Sequence, residues 1–279
     1  MNYLEQILEA AAFLKAKLAD RKPQIALILG SGLGDLAEQI TNPVMVSYSE
    51  VPYFPVSTVA GHAGRFVIGD LEGKCVIAMQ GRFHYYEGYT MRQVTLPVYV
   101  MKQLGVNALV ITNAAGGMNR AFKAGDLMLL CDHLNRTGDN PLIGSNYDEL
   151  GLRFPDMSEA YSRSYRELAH TVAQEVRDGL GKPLKLQEGV YAGISGPAYM
   201  TPAELTMLAN LGGDAVGMST VGEVVAAKHC GLQVLGISCI TDMAIGAELS
   251  PLTHEQVMAT AERTKPMFIG LVKAFVREV

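Results

Sequence analysis

The chain has 279 residues, 49% hydrophobic and 18% charged, with 29 glycines, 12 prolines and no tryptophan, a packed globular profile that excludes disorder and collagen-like repeats. With 23 Lys and Arg against 28 Asp and Glu the net charge is −5. No global basic field therefore draws nucleic acid or an anionic membrane, and an anionic substrate needs a local cationic pocket.

Leu4, Ile7, Leu8, Ala11, Leu14 and Leu18 recur at helical spacing, predicting an amphipathic first helix closed by Pro23. Ile25–Leu29 is then a short, continuous apolar run, the pattern of a strand covered on both faces. The pattern recurs at Cys75–Met79, Ala108–Thr112, Leu127–Leu130 and Val234–Ser238, with helix-like stretches at 91–104, 159–177, 202–211, 221–230 and 254–276. Buried strands alternating with helices predict one α/β domain over 1–279, a sheet with helices on both sides and ligands at the C-terminal strand ends. The longest predicted loop, Asn135 to Pro155, is polar, and a loop of that length serves a site or a subunit contact. Cys75, Cys131, Cys230 and Cys239 form no CxxC pair and read as reduced core thiols. Without an export signal or a run of about 18 apolar residues, a cytoplasmic protein is expected.

Five strand ends carry polar or small residues suited to chemistry. Gly30-Ser31-Gly32-Leu33-Gly34 follows the first strand, where small residues bring backbone N–H groups and the Ser31 hydroxyl to an anion. The turn lacks the spacing and lysine of a P-loop and the spacing of a dinucleotide fingerprint. Gly81-Arg82-Phe83-His84-Tyr85-Tyr86 follows the next strand, and in extended chain Arg82, His84 and Tyr86 share one face. Arg there suits phosphate through its planar fork, with His beside it to donate or titrate. Thr112-Asn113-Ala114-Ala115-Gly116-Gly117 and Val216-Gly217-Met218-Ser219-Thr220 are two further ends, the second leading into a helix that Ser219 and Thr220 cap or present to an anion. Thr241-Asp242 places a carboxylate at the last strand end, a candidate acid. His62, His254 and the absence of any metal-ligand cluster or GxSxG elbow complete the inventory.

Taken in order, GSGLG, GHAGR, GRFHYYEGY, TNAAGG, GDAVGMSTV and the late SCITD segment resemble the trimeric purine nucleoside phosphorylase family over about residues 25 to 276. The resemblance implies a mixed central β-sheet flanked by helices, and reversible phosphorolysis of purine nucleosides with inorganic phosphate as co-substrate and no organic cofactor or metal. It also implies a homotrimer with active sites near subunit contacts. The phosphate site is implied at Ser31, His62, Arg82, His84, the Ala114 backbone and Ser219; the ribose site at Tyr86, Met218, His254 and, from a neighbouring subunit, Phe154. The purine is implied among Ala115, Gly116, Tyr199, Met200, Val216, Gly217, Thr241 and Asp242. His84, Asp242 and His254 are the implied catalytic groups.

The chain departs from the family's 6-oxopurine-selective members at two positions. Met200 stands where they carry a glutamate that accepts from the base, and a thioether is a poor acceptor. Asp242 stands where they carry asparagine; ionised it accepts from a 6-amino group, and protonated it donates to the purine N7, which requires burial to raise its pKa. A tolerance or preference for adenosine is expected. Gly222 also replaces a usual proline. Competing readings are a methylthioadenosine phosphorylase, against which a histidine at 254 suited to a 5′-hydroxyl counts, and a non-catalytic nucleoside- or phosphate-binding protein.

Overall fold

The computed structural model describes residues 1–30, 32–58, 63–249 and 253–279, with the side chain of His254 outside the described set. In chain order the elements are α1 (Tyr3–Leu18), β1 (Ile25–Leu29), β2 (Thr41–Ser47), β3 (Arg65–Leu71), β4 (Lys74–Gln80), α2 (Met91–Gln103), β5 (Ala108–Gly117) and β6 (Leu127–Arg136). They continue with α3 (Arg163–Ala173), β7 (Leu186–Ile194), α4 (Pro202–Asn210), β8 (Ala215–Gly217), α5 (Val221–His229), β9 (Gln233–Met243) and α6 (His254–Glu278).

The sheet is mixed. β1 lies between β4 and β5, parallel to both, and β4, β3 and β2 run on as an antiparallel edge. β5 continues parallel to β9, β9 pairs antiparallel with β6, β6 parallel with β7, β7 parallel with β8, and β8 returns antiparallel to the far end of β5. Five strands thus close on themselves, a ring in which β5 is the shared wall.

The apolar runs form these strands because both faces are covered. Along β1, Ala26 and Ile28 enter the core shared with α1, α2 and α5, while Ile25, Leu27 and Leu29 enter the core shared with α3 and α6. Strand alternation sends neighbouring side chains to opposite layers, so a strand between two helical layers must be apolar throughout. In α1 the buried stripe is Ile7, Ala10, Ala11, Leu14 and Leu18; Leu8, expected on it, is exposed. That helix stops at Leu18, ahead of Pro23, where Ala19 turns to φ +51°.

Three further expectations are corrected. The small residues after Thr112 are strand, because β5 needs that length to reach both β9 and β8. β6 runs through Asn135 to Arg136, so the long connection to α3 starts at 137. Cys75 and Cys131 are only half-buried, whereas Cys230 and Cys239 are core; all four are free thiols. Strands β2, β3 and β7 escape the sequence reading, and of β8 only the end at Val216-Gly217 is read: β2 is mostly exposed and β7 has polar residues near its start, so neither shows an apolar run.

Candidate functional site

The first strand end is built by close packing. A Cβ on Gly30 would lie 2.5 Å from the Thr112 carbonyl oxygen, so only glycine lets β1 run this near β5. The Gly30 N–H donates to Thr112 Oγ1 at 3.0 Å, and that hydroxyl donates to the Ile28 carbonyl at 3.0 Å. Gly32 takes φ +83° against Ala261 of α6. These glycines therefore seat the turn between β5 and α6, and Gly30's own N–H is already used. Ser31 lies outside the described residues, as does His62.

The segment after β4 delivers the arginine and the histidine. Arg82 is 1% exposed. Its Nε and Nη2 donate to the two carboxylate oxygens of Glu223 at 3.1 and 3.0 Å, while Nη1 donates to the Thr112 carbonyl at 2.7 Å and to Ser219 Oγ at 3.2 Å. Tyr86 does not join Arg82 and His84 through extended chain: His84 is extended, but residues 85–87 form one 3₁₀ turn, which folds Tyr86 back so that its ring stacks on that of His84 at 4.7 Å. The His84 N–H donates to Glu87 Oε1 at 2.7 Å, and its Nδ1 lies 3.2 Å from the same oxygen. Burial pushes the Glu87 carboxyl up, but hydrogen bonds from His84 and Thr58 outweigh it and hold the pKa at about 2. An ionised carboxylate therefore faces Nδ1 and fixes the ring's orientation.

Opposing walls come from β5, β8 and β9. The β5–β9 register slips by one residue between Ala115/Ile240 and Gly116/Asp242, a bulge at Thr241 that re-aims the end of β9. Asp242 is thereby brought beside Gly116, where a Cβ would sit 3.2 Å from Oδ2. Thr241 Oγ1 donates to Asp242 Oδ1 at 2.8 Å. Burial raises the Asp242 pKa against the opposing pull of that hydrogen bond. Tyr199, half out in solvent, has its hydroxyl pKa raised by burial and by the charge of Asp242.

These walls enclose a cavity of about 560 Å³, within the size range of small-molecule sites. Of the residues expected from sequence, Arg82, His84, Tyr86, Ala114, Ala115, Gly116, Tyr199, Met200, Val216, Gly217, Met218, Ser219, Thr241 and Asp242 all line it. Phe154 does not; it is 86% exposed on the long connection, with the Arg153 guanidinium over its ring. His254 opens α6, capped by Thr253 Oγ1 accepting from Gln256 N–H at 3.3 Å. Sequence reasoning passed over Asn113, Ile194, Leu205 and Val257 on the cavity wall, and Glu87 and Glu223 behind it. Ile194, Leu205 and Val257 carry no chemical signal, but Glu87 sits inside the GRFHYYEGY segment and Glu223 one turn beyond Ser219, both at spacings where a carboxylate can reach back. Where the family usually has proline, Gly222 admits Met91 of α2, whose Sδ would be 2.5 Å from a Cβ there. Among the described residues, no group of His, Cys, Asp and Glu is placed to hold a metal ion, and no helix is long and apolar enough to cross a membrane.

A mixed sheet that closes partly on itself, with an arginine, a histidine and a half-buried carboxyl facing one cavity, is the architecture of a nucleoside-type phosphorylase, and residues 24–277 match the family model described as Phosphorylase superfamily. The chain is 56% identical over 271 residues to purine nucleoside phosphorylase 1 of Geobacillus stearothermophilus, covering 97% of this chain and 96% of that protein. It superposes on the purine nucleoside phosphorylase of Schistosoma mansoni solved with adenosine at a TM-score of 0.90 and 42% identity, covering 99% and 98% of the two chains. The same enzyme solved with inosine gives 0.91 and 41%, covering 99% and 97%. The chain belongs to the purine nucleoside phosphorylase family.

Proposed function

We propose that this protein cleaves purine nucleosides with inorganic phosphate, releasing the free base and pentose 1-phosphate, and that its pocket accepts 6-aminopurines. The observation that carries the reading is the single cavity shared by Arg82, His84 and Ser219 with Asp242. In the reaction a phosphate oxygen bonds to the anomeric carbon as the carbon–N9 bond breaks, and the electron pair leaves with the purine. The sugar passes through an oxocarbenium-like state, so catalysis needs a positioned dianion beneath it and relief of charge on the base. Arg82, His84, Ser219 and the Ala114 backbone serve the dianion, joined by Ser31 and His62 on the strength of the family resemblance. Tyr86, Met218 and His254 serve the ribose.

Asp242 serves the base. A protonated carboxyl offers one donor and one acceptor, which complement the N7 lone pair and the 6-amino group of adenine together. The burial that raises its pKa favours that form. A 6-oxo group presents only an acceptor, and Met200 supplies no acceptor for its N1–H. The reaction so written asks for no organic cofactor or metal. Four unpaired thiols fit a reducing cytoplasm, and Ile143, Leu152 and Phe154, large and exposed on one connection, fit a homotrimer in which Phe154 covers a neighbour's sugar site.

The test is release of free base from adenosine, inosine and guanosine, each with and without phosphate. Phosphate-dependent cleavage led by adenosine is expected. Cleavage led by inosine or guanosine would overturn the base assignment alone; no phosphate-dependent cleavage would overturn the reaction.

A further inference from the structure

The turn that carries Ser219 is unusual. Thr220 is 1% exposed and sits at φ +75°, ψ −51°, a left-handed conformation that a β-branched residue adopts only when its surroundings force it. The Val221 N–H donates to the Ser219 carbonyl at 2.8 Å, so the chain makes a three-residue turn around Thr220 before α5 begins. Two side chains clasp the Thr220 hydroxyl: Asn113 Nδ2 donates to it at 2.9 Å and Ser219 Oγ lies 3.0 Å away. The Thr220 N–H donates to Glu223 Oε2 at 2.9 Å. That same carboxylate receives Nε and Nη2 of Arg82.

We infer that Glu223 is the positioning residue of the phosphate site, holding Arg82 and the Ser219–Thr220 turn in one arrangement through a single buried carboxylate. The inference rests on the proposed phosphate role of Arg82 and Ser219. Glu223 is 3% exposed and, unlike those two, does not line the cavity, so it acts through them. The geometry is specific: a fork-to-fork pair consumes the Nε/Nη2 edge of the guanidinium and orients the Nη1 edge, which meets Ser219 Oγ at 3.2 Å. Without the carboxylate, Arg82 loses the partner that fixes its plane, and the strained turn loses the acceptor for its N–H. His84 is arranged the same way by Glu87, so among the described residues each of the two basic groups facing the cavity has a buried carboxylate behind it. Anchors of this kind around a charged site set affinity by setting geometry.

The test is a comparison of the wild type, Glu223→Gln and Glu223→Asp. Calorimetric titration with inorganic phosphate reads the site without turnover, and steady-state kinetics read KM for phosphate and for nucleoside separately. Glu223→Gln should weaken phosphate binding about tenfold or more, with the nucleoside KM within about twofold of wild type, and Glu223→Asp should recover part of the loss. Unchanged phosphate affinity, or equal damage to both substrates, would overturn the inference. Should Glu223→Gln fail to fold by circular dichroism, Glu223→Asp carries the test: it must raise the phosphate KM and leave the nucleoside KM in place. If the wild type binds phosphate yet cleaves no nucleoside, the reaction fails while the calorimetric comparison still judges Glu223.

Discussion

In the proposed reading, one carboxyl, at position 242, governs both the choice of base and the pH response. Burial raises the pKa of Asp242 from its ordinary value despite the opposing pull of the Thr241 hydrogen bond. In that reading the protonated form donates to N7, so adenosine cleavage should be fullest below the raised pKa and fall as pH climbs through it. Asp242→Asn carries its donor at every pH. In the kcat/KM profile for adenosine the descending limb should flatten in the variant, and an identical limb would assign the titration elsewhere. Asp242→Asn should also move the adenosine-to-inosine ratio of kcat/KM towards inosine by about tenfold, about 1.4 kcal/mol of differential transition-state binding. Met200 makes the complementary case: Met200→Glu restores an acceptor at the cavity wall, and guanosine cleavage should rise relative to adenosine. An unmoved ratio would place base discrimination on other groups.

Among the elements, the connection from β6 to α3 shows what sequence could and could not convey. It is tied down along its length: the Arg153 guanidinium donates to the carbonyls of Leu142 and Gly144 at 2.8 and 2.9 Å, Arg92 of α2 donates to Ile143 and Ser145, and Asn146 contacts His229 of α5. Leu152 and Phe154 nevertheless remain 75% and 86% exposed. A held loop that presents apolar side chains is shaped to meet another surface. Phe154→Ala should therefore raise the nucleoside KM several-fold while the circular-dichroism spectrum of the protein stays that of the wild type, since an exposed ring takes no part in the subunit's own core. Unchanged kinetics would release the loop from the site. Length and polarity marked this stretch as serving a site or a subunit contact, and the five apolar runs marked β1, β4, β5, β6 and β9, because burial on both faces leaves an unmistakable pattern. The closing strands β7 and β8 are invisible at that level: β8 is three residues long and held by partners on either side, and length of that order carries no periodicity. The cavity wall was legible wherever a polar residue or glycine ended a strand. The carboxylates of Glu87 and Glu223 were not, since their value comes from a turn and a helix start folding them back onto Arg82 and His84.

For the whole molecule, the proposed lending of the Phe154 ring by one subunit to the next would constrain assembly. Phe154 and the cavity are different surfaces, so their contact is head-to-tail, and such a contact either closes into a ring or propagates as a filament. Closure by threefold rotation gives each subunit one borrowed Phe154 and gives a particle of three times 30.0 kDa. It also predicts complementation. An Arg82→Ala subunit cannot hold phosphate in its own cavity but still presents Phe154, whereas a Phe154→Ala subunit has an intact cavity and no ring to lend. When the two are dissociated, mixed in equal amounts and reassembled, about half of the intact cavities should face a neighbour that supplies the ring. Those cavities should recover the wild-type nucleoside KM, so the mixture should exceed the summed activity of the separate variants at low nucleoside. The gain should be absent when the variants are mixed without dissociation. If the reassembled mixture, with its mass unchanged, shows no gain, each subunit completes its own site and the exposed ring at 154 serves assembly alone.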